Sequence, residues 1–218
     1  MKEFNIDFTF NSRFYTSETG NNIEEVWFVL HGHGQLAQYF IRKFNTLDLS
    51  RILIVAPEGL SKYYLSGYTG RVGATWMTKE DRLRDIENYV TYLNSVYDTI
   101  ISELNKNVKI TVLGFSQGTA TASRWVAQSK IHVDRLILWA GIFPPDMEVT
   151  TAKDRFDKIE VLNVYGNKDE FLNDEKLQEQ EAIIQQLGIS EPKVIPFDGN
   201  HDIHSQTLLL ISSNSYLQ

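Results

Sequence analysis

Several stretches of the chain are apolar without interruption or nearly so. They cover residues 26–30 (Val-Trp-Phe-Val-Leu), 52–55, 108–113, 136–139 and 161–165, and most close on Gly or Pro. Runs with no polar face fit parallel strands covered by helices on both sides. Residues 194–197 add a last strand of the same kind. Residues 1–10 and 12–17 alternate polar and apolar positions instead, which predicts an antiparallel edge hairpin. Over residues 79–104, Leu83, Ile86, Val90, Leu93, Tyr97, Ile100 and Leu104 recur at steps of three and four, the stripe of a core-facing helix. Thr78, with Asp81 three residues on, supplies its expected N-terminal cap. Further helices are expected at 36–44, 117–128 and 174–187, the last with Glu and Gln on a solvated face. Residues 58–76 and 142–157 have loop character, with glycines and aromatics in the first and Pro144-Pro145 in the second. Strands alternating with helices, with no linker or repeat, predict one α/β domain over residues 1–218. Its central sheet should be mostly parallel, with helices on both faces and no large cap domain. In such sheets, sites form at the carboxyl ends of the strands.

Composition narrows the classes of function. The 218 residues are 42% hydrophobic and 22% charged, which is ordinary for a globular chain. A formal net charge of -7 argues against a nucleic-acid partner, since phosphate backbones are repelled. The absence of Cys excludes disulfides, thiolate metal sites and a cysteine nucleophile. The first ten residues lack a signal-peptide apolar core, and no apolar run is long enough to span a bilayer. The expectation is a cytoplasmic protein, monomer or homodimer.

Chemistry enters at Gly114-Phe115-Ser116-Gln117-Gly118. The pattern Gly-x-Ser-x-Gly follows a buried-strand run and opens a helix of small residues, the setting of a nucleophile elbow. Its turn lifts the Ser116 hydroxyl out of the sheet and puts the Gln117 backbone N–H beside it at a helix start. His31-Gly32-His33-Gly34-Gln35 follows another strand, and there the His33 N–H is the natural second oxyanion donor. His31 itself reads as a buried loop anchor. A metal site using His31, His33, His201 and His204 is the rival reading, without a carboxylate-rich companion motif. Serine needs a base, and the base an orienting acid. Asp169 sits just past the 161–165 strand, with Glu170 and Asp174 as competitors. His201 follows Gly199-Asn200 after the last strand, and His204 competes from the start of a closing helix. His132 reads as a solvated loop residue.

These landmarks resemble the carboxylesterase/phospholipase group of α/β hydrolases, which includes acyl-protein thioesterases. The resemblance rests on His31-Gly32-x-Gly34, Gly114-Phe115-Ser116-Gln117-Gly118, Gly166-x-x-Asp169, Gly199-x-His201-x-Ile203 and the Trp76 segment. It implies a serine hydrolase cleaving a small-molecule ester or thioester through an acyl-serine. Ser116, Asp169 and His201 would be the triad, and the His33 and Gln117 amides the oxyanion hole. No metal or organic cofactor is needed for this chemistry. Two positions depart from the group: Gln35, where many members carry an acid, and His33, where an aliphatic residue is common. Tyr63, Tyr64, Tyr68, Trp76 and Phe143 are the candidate substrate-binding residues, on loops that would overhang Ser116. Arg71 reads as a solvated side chain. A non-catalytic binding module or a peptidase on the same fold are the alternatives.

Overall fold

The computed structural model describes residues 1–104, 107–190 and 192–217. In chain order it runs β1 (Phe14–Thr16), β2 (Glu25–Leu30), α1 (Ala37–Phe40), β3 (Ile52–Pro57), β4 (Ser61–Tyr64), β5 (Val72–Thr75), α2 (Arg82–Glu103) and β6 (Lys109–Phe115). Then follow α3 (Gln117–Gln128), β7 (Arg135–Trp139), α4 (Val149–Phe156), β8 (Glu160–Gly166), α5 (Asp174–Gln186), β9 (Lys193–Phe197) and α6 (Ser205–Ser212). Seven strands form one sheet in the order β1-β3-β2-β6-β7-β8-β9. Every pairing is parallel except the antiparallel β1 against β3.

The uninterrupted apolar runs have the expected cause. Val26, Phe28 and Leu30 of β2 pack with α2, α3, α4 and α5 on one face. Trp27 and Val29 pack with α1 and α6 on the other. A strand buried on both sides has no solvated face to alternate toward. The chain leaves β2 for β3 on one side and returns to β6 on the other. This reversal opens a crevice at the carboxyl ends of β2 and β6, where the two glycine-rich motifs lie.

Several sequence expectations change. Residues 1–10 form no hairpin with residues 12–17. Only Phe14–Thr16 is a strand, and it pairs with β3, Phe14 opposite Pro57. The alternating apolar residues before it instead lie along α2, where Ile6, Phe8 and Phe10 share a shallow cavity with Asn88 and Tyr92. The 58–76 segment is not a plain loop, because Ser61–Tyr64 and Val72–Thr75 pair as an antiparallel hairpin. Thr78 does not cap α2. The helix begins at Arg82 behind Asp81, whose φ is 46°, and Thr78 N–H bonds the Asp85 carboxylate of the first turn. The buried stripe is Ile86, Tyr89, Leu93, Val96 and Ile100, and Leu83 faces solvent. Helix α4 lies inside a segment whose Pro pair suggested only loop.

β9 ends the sheet on one side. Phe197 C=O accepts from Asn167 N–H, so the amide of Phe197 faces the sheet and that of its neighbour Pro196 faces out.

Candidate active site

Ser116 sits alone between β6 and α3 at φ 54°, ψ -118°. A non-glycine residue there costs about 1–3 kcal/mol, and the surroundings must hold it. They do so with backbone bonds. Ser116 N–H donates to Trp139 C=O at 2.9 Å, and Ser116 C=O accepts from Thr119 N–H at 2.9 Å and from the Thr119 hydroxyl at 2.7 Å. The flanking glycines are required by close approach. A Cβ at Gly114 would lie 2.2 Å from Gly118 O, and one at Gly118 would lie 2.2 Å from Leu30 O. The motif is therefore the place where β6, α3 and β2 press together, with no room for side chains between them.

The loop after β2 is clasped from several sides. Gly32 N–H donates to Gln35 Oε1 at 2.9 Å, and Gly34 N–H donates to Ala74 C=O at 2.9 Å. That leaves the intervening His33 N–H, like the Gln117 N–H at the start of α3, without an acceptor among the described residues. Gly32 rests against Ser116, and a Cβ there would meet Ser116 Cβ at 3.2 Å. Gln35, one of the two departures, thus works as an internal tie in the loop.

His31 is wholly buried. Its Nε2 accepts from Gly59 N–H at 2.9 Å, which puts the proton on Nδ1, donating to Gly32 C=O at 2.8 Å. Burial lowers its pKa to about 4, so the ring is neutral. With both nitrogens bonded to backbone, His31 is an anchor and has no lone pair for a metal. Among the described residues no His, Asp or Glu cluster is arranged to hold one. Trp76 supports the anchor: its indole lies 5.0 Å from the His31 ring, and Nε1 donates to His31 C=O at 2.8 Å. Glu58, which the sequence reading passed over, is fully buried and accepts from Ala37 N–H at 3.2 Å and Arg13 at 2.8 Å. A lone Glu beside Pro57-Gly carried no signal of that role.

One side chain ties the two glycine motifs together. The Thr75 hydroxyl accepts from Gln117 Nε2 at 2.9 Å and donates to Met77 C=O at 2.9 Å. His33 Nδ1 lies 3.3 Å from the same hydroxyl, and His33 Nε2 lies 2.6 Å from Tyr63 OH. The His33 side chain is thus held away from its own backbone N–H.

On the other side, Asp169 follows β8 and His201 follows β9. Asp169 Oδ2 is 2.8 Å from His201 Nδ1, and Asp169 Oδ1 accepts from Phe171 N–H at 2.9 Å. The carboxylate is buried and the imidazole 22% exposed. A carboxylate can only accept, so the bond fixes the proton on Nδ1 and leaves Nε2 as a lone pair. Phe171 and Phe115 rings lie 4.7 Å and 5.0 Å from the imidazole. Ser116 and His201 line one cavity of about 680 Å³, although Ser116 Oγ makes no hydrogen bond to His201. Glu170 and Asp174 take no part, and His204 Nδ1 pairs with Thr207 at 2.9 Å while its ring stacks on Phe197. His132 is an exposed partner of Asp134.

The expected pocket residues separate. Phe143 lines the cavity. Trp76 does not, because it is packed behind the His31–Gly34 loop against Tyr89. Tyr63 is bound to His33, while Tyr64 and Tyr68 are 48% and 92% exposed, and none of the three lines the cavity. Arg71 is exposed, as expected. The walls come instead from Met77, α3 and the segments after β7 and β8, with Ile142, Pro144 and Leu172 among them. The sequence signal for these was the Pro144-Pro145 segment at a strand end.

Sheet order, crossover and the placement of these loops are those of an α/β-hydrolase fold. More particularly, a family model described as phospholipase/carboxylesterase matches residues 14–215, and the chain belongs to that family. Among solved structures, an acyl-protein thioesterase 2 from Zea mays is similar at TM-score 0.71 and 16% identity, covering 95% of this chain and 100% of that one. A phospholipase/carboxylesterase from Dyadobacter fermentans is similar at TM-score 0.67 and 20% identity, covering 98% and 100%. SOBER1 of Arabidopsis thaliana reaches TM-score 0.67 and 19% identity, over 89% and 100%. No curated protein matches in sequence. Among the described residues, no helix is long and apolar enough to cross a membrane.

Proposed function

We propose that this chain is a serine hydrolase that cleaves carboxylic esters or thioesters through an acyl-serine intermediate. The observation that carries the reading is a strained Ser116 sharing a cavity with an Asp169-oriented His201. Family membership makes hydrolysis of this type the expected activity.

The steps follow from the geometry. His201 Nε2 takes the Ser116 proton as Oγ attacks the acyl carbon, and the tetrahedral oxygen becomes negative. The unpaired N–H groups of His33 and Gln117 stabilise that charge, with α3 adding its positive N-terminal end. His201, now doubly protonated and held by Asp169, protonates the leaving alcohol or thiol as the tetrahedral species collapses. The acyl-serine remains. His201 then removes a proton from water, which attacks the ester, and the second collapse returns the proton to Ser116 and releases the acid. A rotation of the Ser116 hydroxyl toward Nε2 completes the array, a closure common when substrate arrives.

A fluorophosphonate probe tests the reading. Stoichiometric labelling of the wild type, lost in Ser116→Ala, is expected together with hydrolysis of p-nitrophenyl acetate. An unlabelled protein with no ester turnover overturns it in favour of a binding module. Amide cleavage as fast as ester cleavage would instead make the protein a peptidase.

A further inference from the structure

The cavity beside Ser116 is lined mostly by apolar side chains, with charge brought by Arg82, Arg124, Asp146 and Lys176. Ser116 stands at the N-terminal end of α3, and Ala120 and Arg124, about one and two turns into it, line the same cavity. The eight-residue rise from Ser116 to Arg124 is about 12 Å. Ile142, Phe143 and Leu172 form the apolar walls between.

Arg124 is 4% exposed. Its Nη2 donates to Asp146 Oδ1 at 2.7 Å, and Asp146 also binds Arg82, another lining residue. The trio carries two positive charges against one negative. Arg124 Nη1 meets Met77 Sδ at 3.6 Å, and a thioether is a weak acceptor. A buried guanidinium has five donors to satisfy, and here one half-exposed carboxylate, one sulfur and the nearby Tyr89 hydroxyl are the groups around them. A planar fork with spare donors in a mostly apolar cavity matches a carboxylate.

We propose that the Arg124 end of this cavity is a subsite for a carboxylate borne by the substrate. The preferred ester or thioester then carries that carboxylate a short apolar chain away from its scissile carbonyl. The inference rests on the hydrolase reading above and names its substrate class. The carboxylate belongs to either the acyl chain or the leaving group, and the two sources are separable.

The readout is a ratio of kcat/KM values for the intact chain. For the acyl side it compares p-nitrophenyl hydrogen adipate with p-nitrophenyl hexanoate. For the leaving side it compares the hexanoates of p-hydroxybenzoate and of its methyl ester. A preference for the anionic substrate in one pair identifies the source. In that pair Arg124→Gln should lower the ratio by about tenfold to a hundredfold, the loss of a charge-assisted pair. Asp146→Asn removes the competing carboxylate and should raise the same ratio. If Arg124 only pins the Asp146 segment to α3, both variants shift anionic and neutral substrates alike, and the proposal fails. Calorimetric titration with adipate covers the case of a protein that does not turn over: binding that weakens in Arg124→Gln upholds the subsite, and its absence in the wild type overturns it. Vigorous ester hydrolysis without anion preference in either pair sinks the subsite while leaving the hydrolase reading intact.

Discussion

The two halves of the site are built differently. On the β2/β6 side, Ser116 and the His31–Gly34 loop are crossed by bonds from Trp139, Gly59, Ala74, Thr75 and Trp76. Backbone lies against backbone there, at distances that exclude even a methyl group. On the β8/β9 side the loop backbones also press together, since a Cβ at Gly166 would lie 2.2 Å from Gly199 O, but Asp169 and His201 project from them and are joined by one side-chain contact at 2.8 Å. One half carries backbone donors and Ser116 on crossed backbone; the other carries a pair of side chains. In the proposed hydrolase, backbone N–H donors and the strained turn that presents Ser116 Oγ both need fixed backbone. A base that must move a proton twice per turnover tolerates a looser seat.

The difference predicts which losses travel together. Asp169→Asn is isosteric and changes only the side-chain pair. It should lower kcat about ten-thousandfold by spoiling the His201 tautomer, yet change stability by less than about 1 kcal/mol. Steady-state kinetics beside urea unfolding checks both. A large loss of stability would show that this half is as firmly tied as the other.

His31 tests the crowded half through pH. Its ring is neutral in the fold, with a pKa lowered to about 4 by burial, and ionises near its ordinary value of 6.5 in the unfolded chain. Above pH ~6.5 the ring is neutral in both states and its contribution is intact. As pH falls from there toward ~4, only the unfolded chain takes up the proton, so stability drops, by about 3 kcal/mol in all. Urea midpoints of wild type and His31→Gln should therefore converge across this window. A constant gap between them would mean that the ring titrates as if exposed.

The smallest expected effect is at Thr75, a positioning residue that touches no substrate. Thr75→Val removes the hydroxyl between Gln117 and Met77, costing about 1–2 kcal/mol of stability. It should lower kcat roughly tenfold, the scale of one weakened oxyanion bond, with KM little moved. Thr75→Ser should restore kcat. A KM effect alone would place Thr75 in substrate binding instead.

The same contrast explains what the sequence made legible. β2, β3, β6, β7 and β8 were visible because burial on both faces leaves unbroken apolar runs. Gly114, Ser116 and Gly118 were visible because crowding restricts residue type at fixed spacing. Asp169 and His201 were legible from their order, their position after strands and the nearby Gly166 and Gly199, where a Cβ at Gly166 would lie 2.2 Å from Gly199 O. Of the five aromatics expected at the pocket, Phe143 alone lines the cavity. Trp76 looked like a wall and is a buttress, since an aromatic near a site has the same composition in either role. Arg124 and Asp146 could not be paired from sequence, because their contact is made across α3 and a turn after β7. The N-terminal alternation predicted a hairpin because period two reports an extended segment with two unlike sides, and does not say which partner covers it.

Pro196 has a consequence for the molecule in company. The outermost strand of a sheet is an open template, and any extended chain can add to it. Here the outward position at Pro196 offers a ring in place of an N–H. A newcomer would lose one rung and meet the ring where it needed an N–H. The sheet can bury its strands on both faces and still present at β9 a poorer template than an unbroken strand.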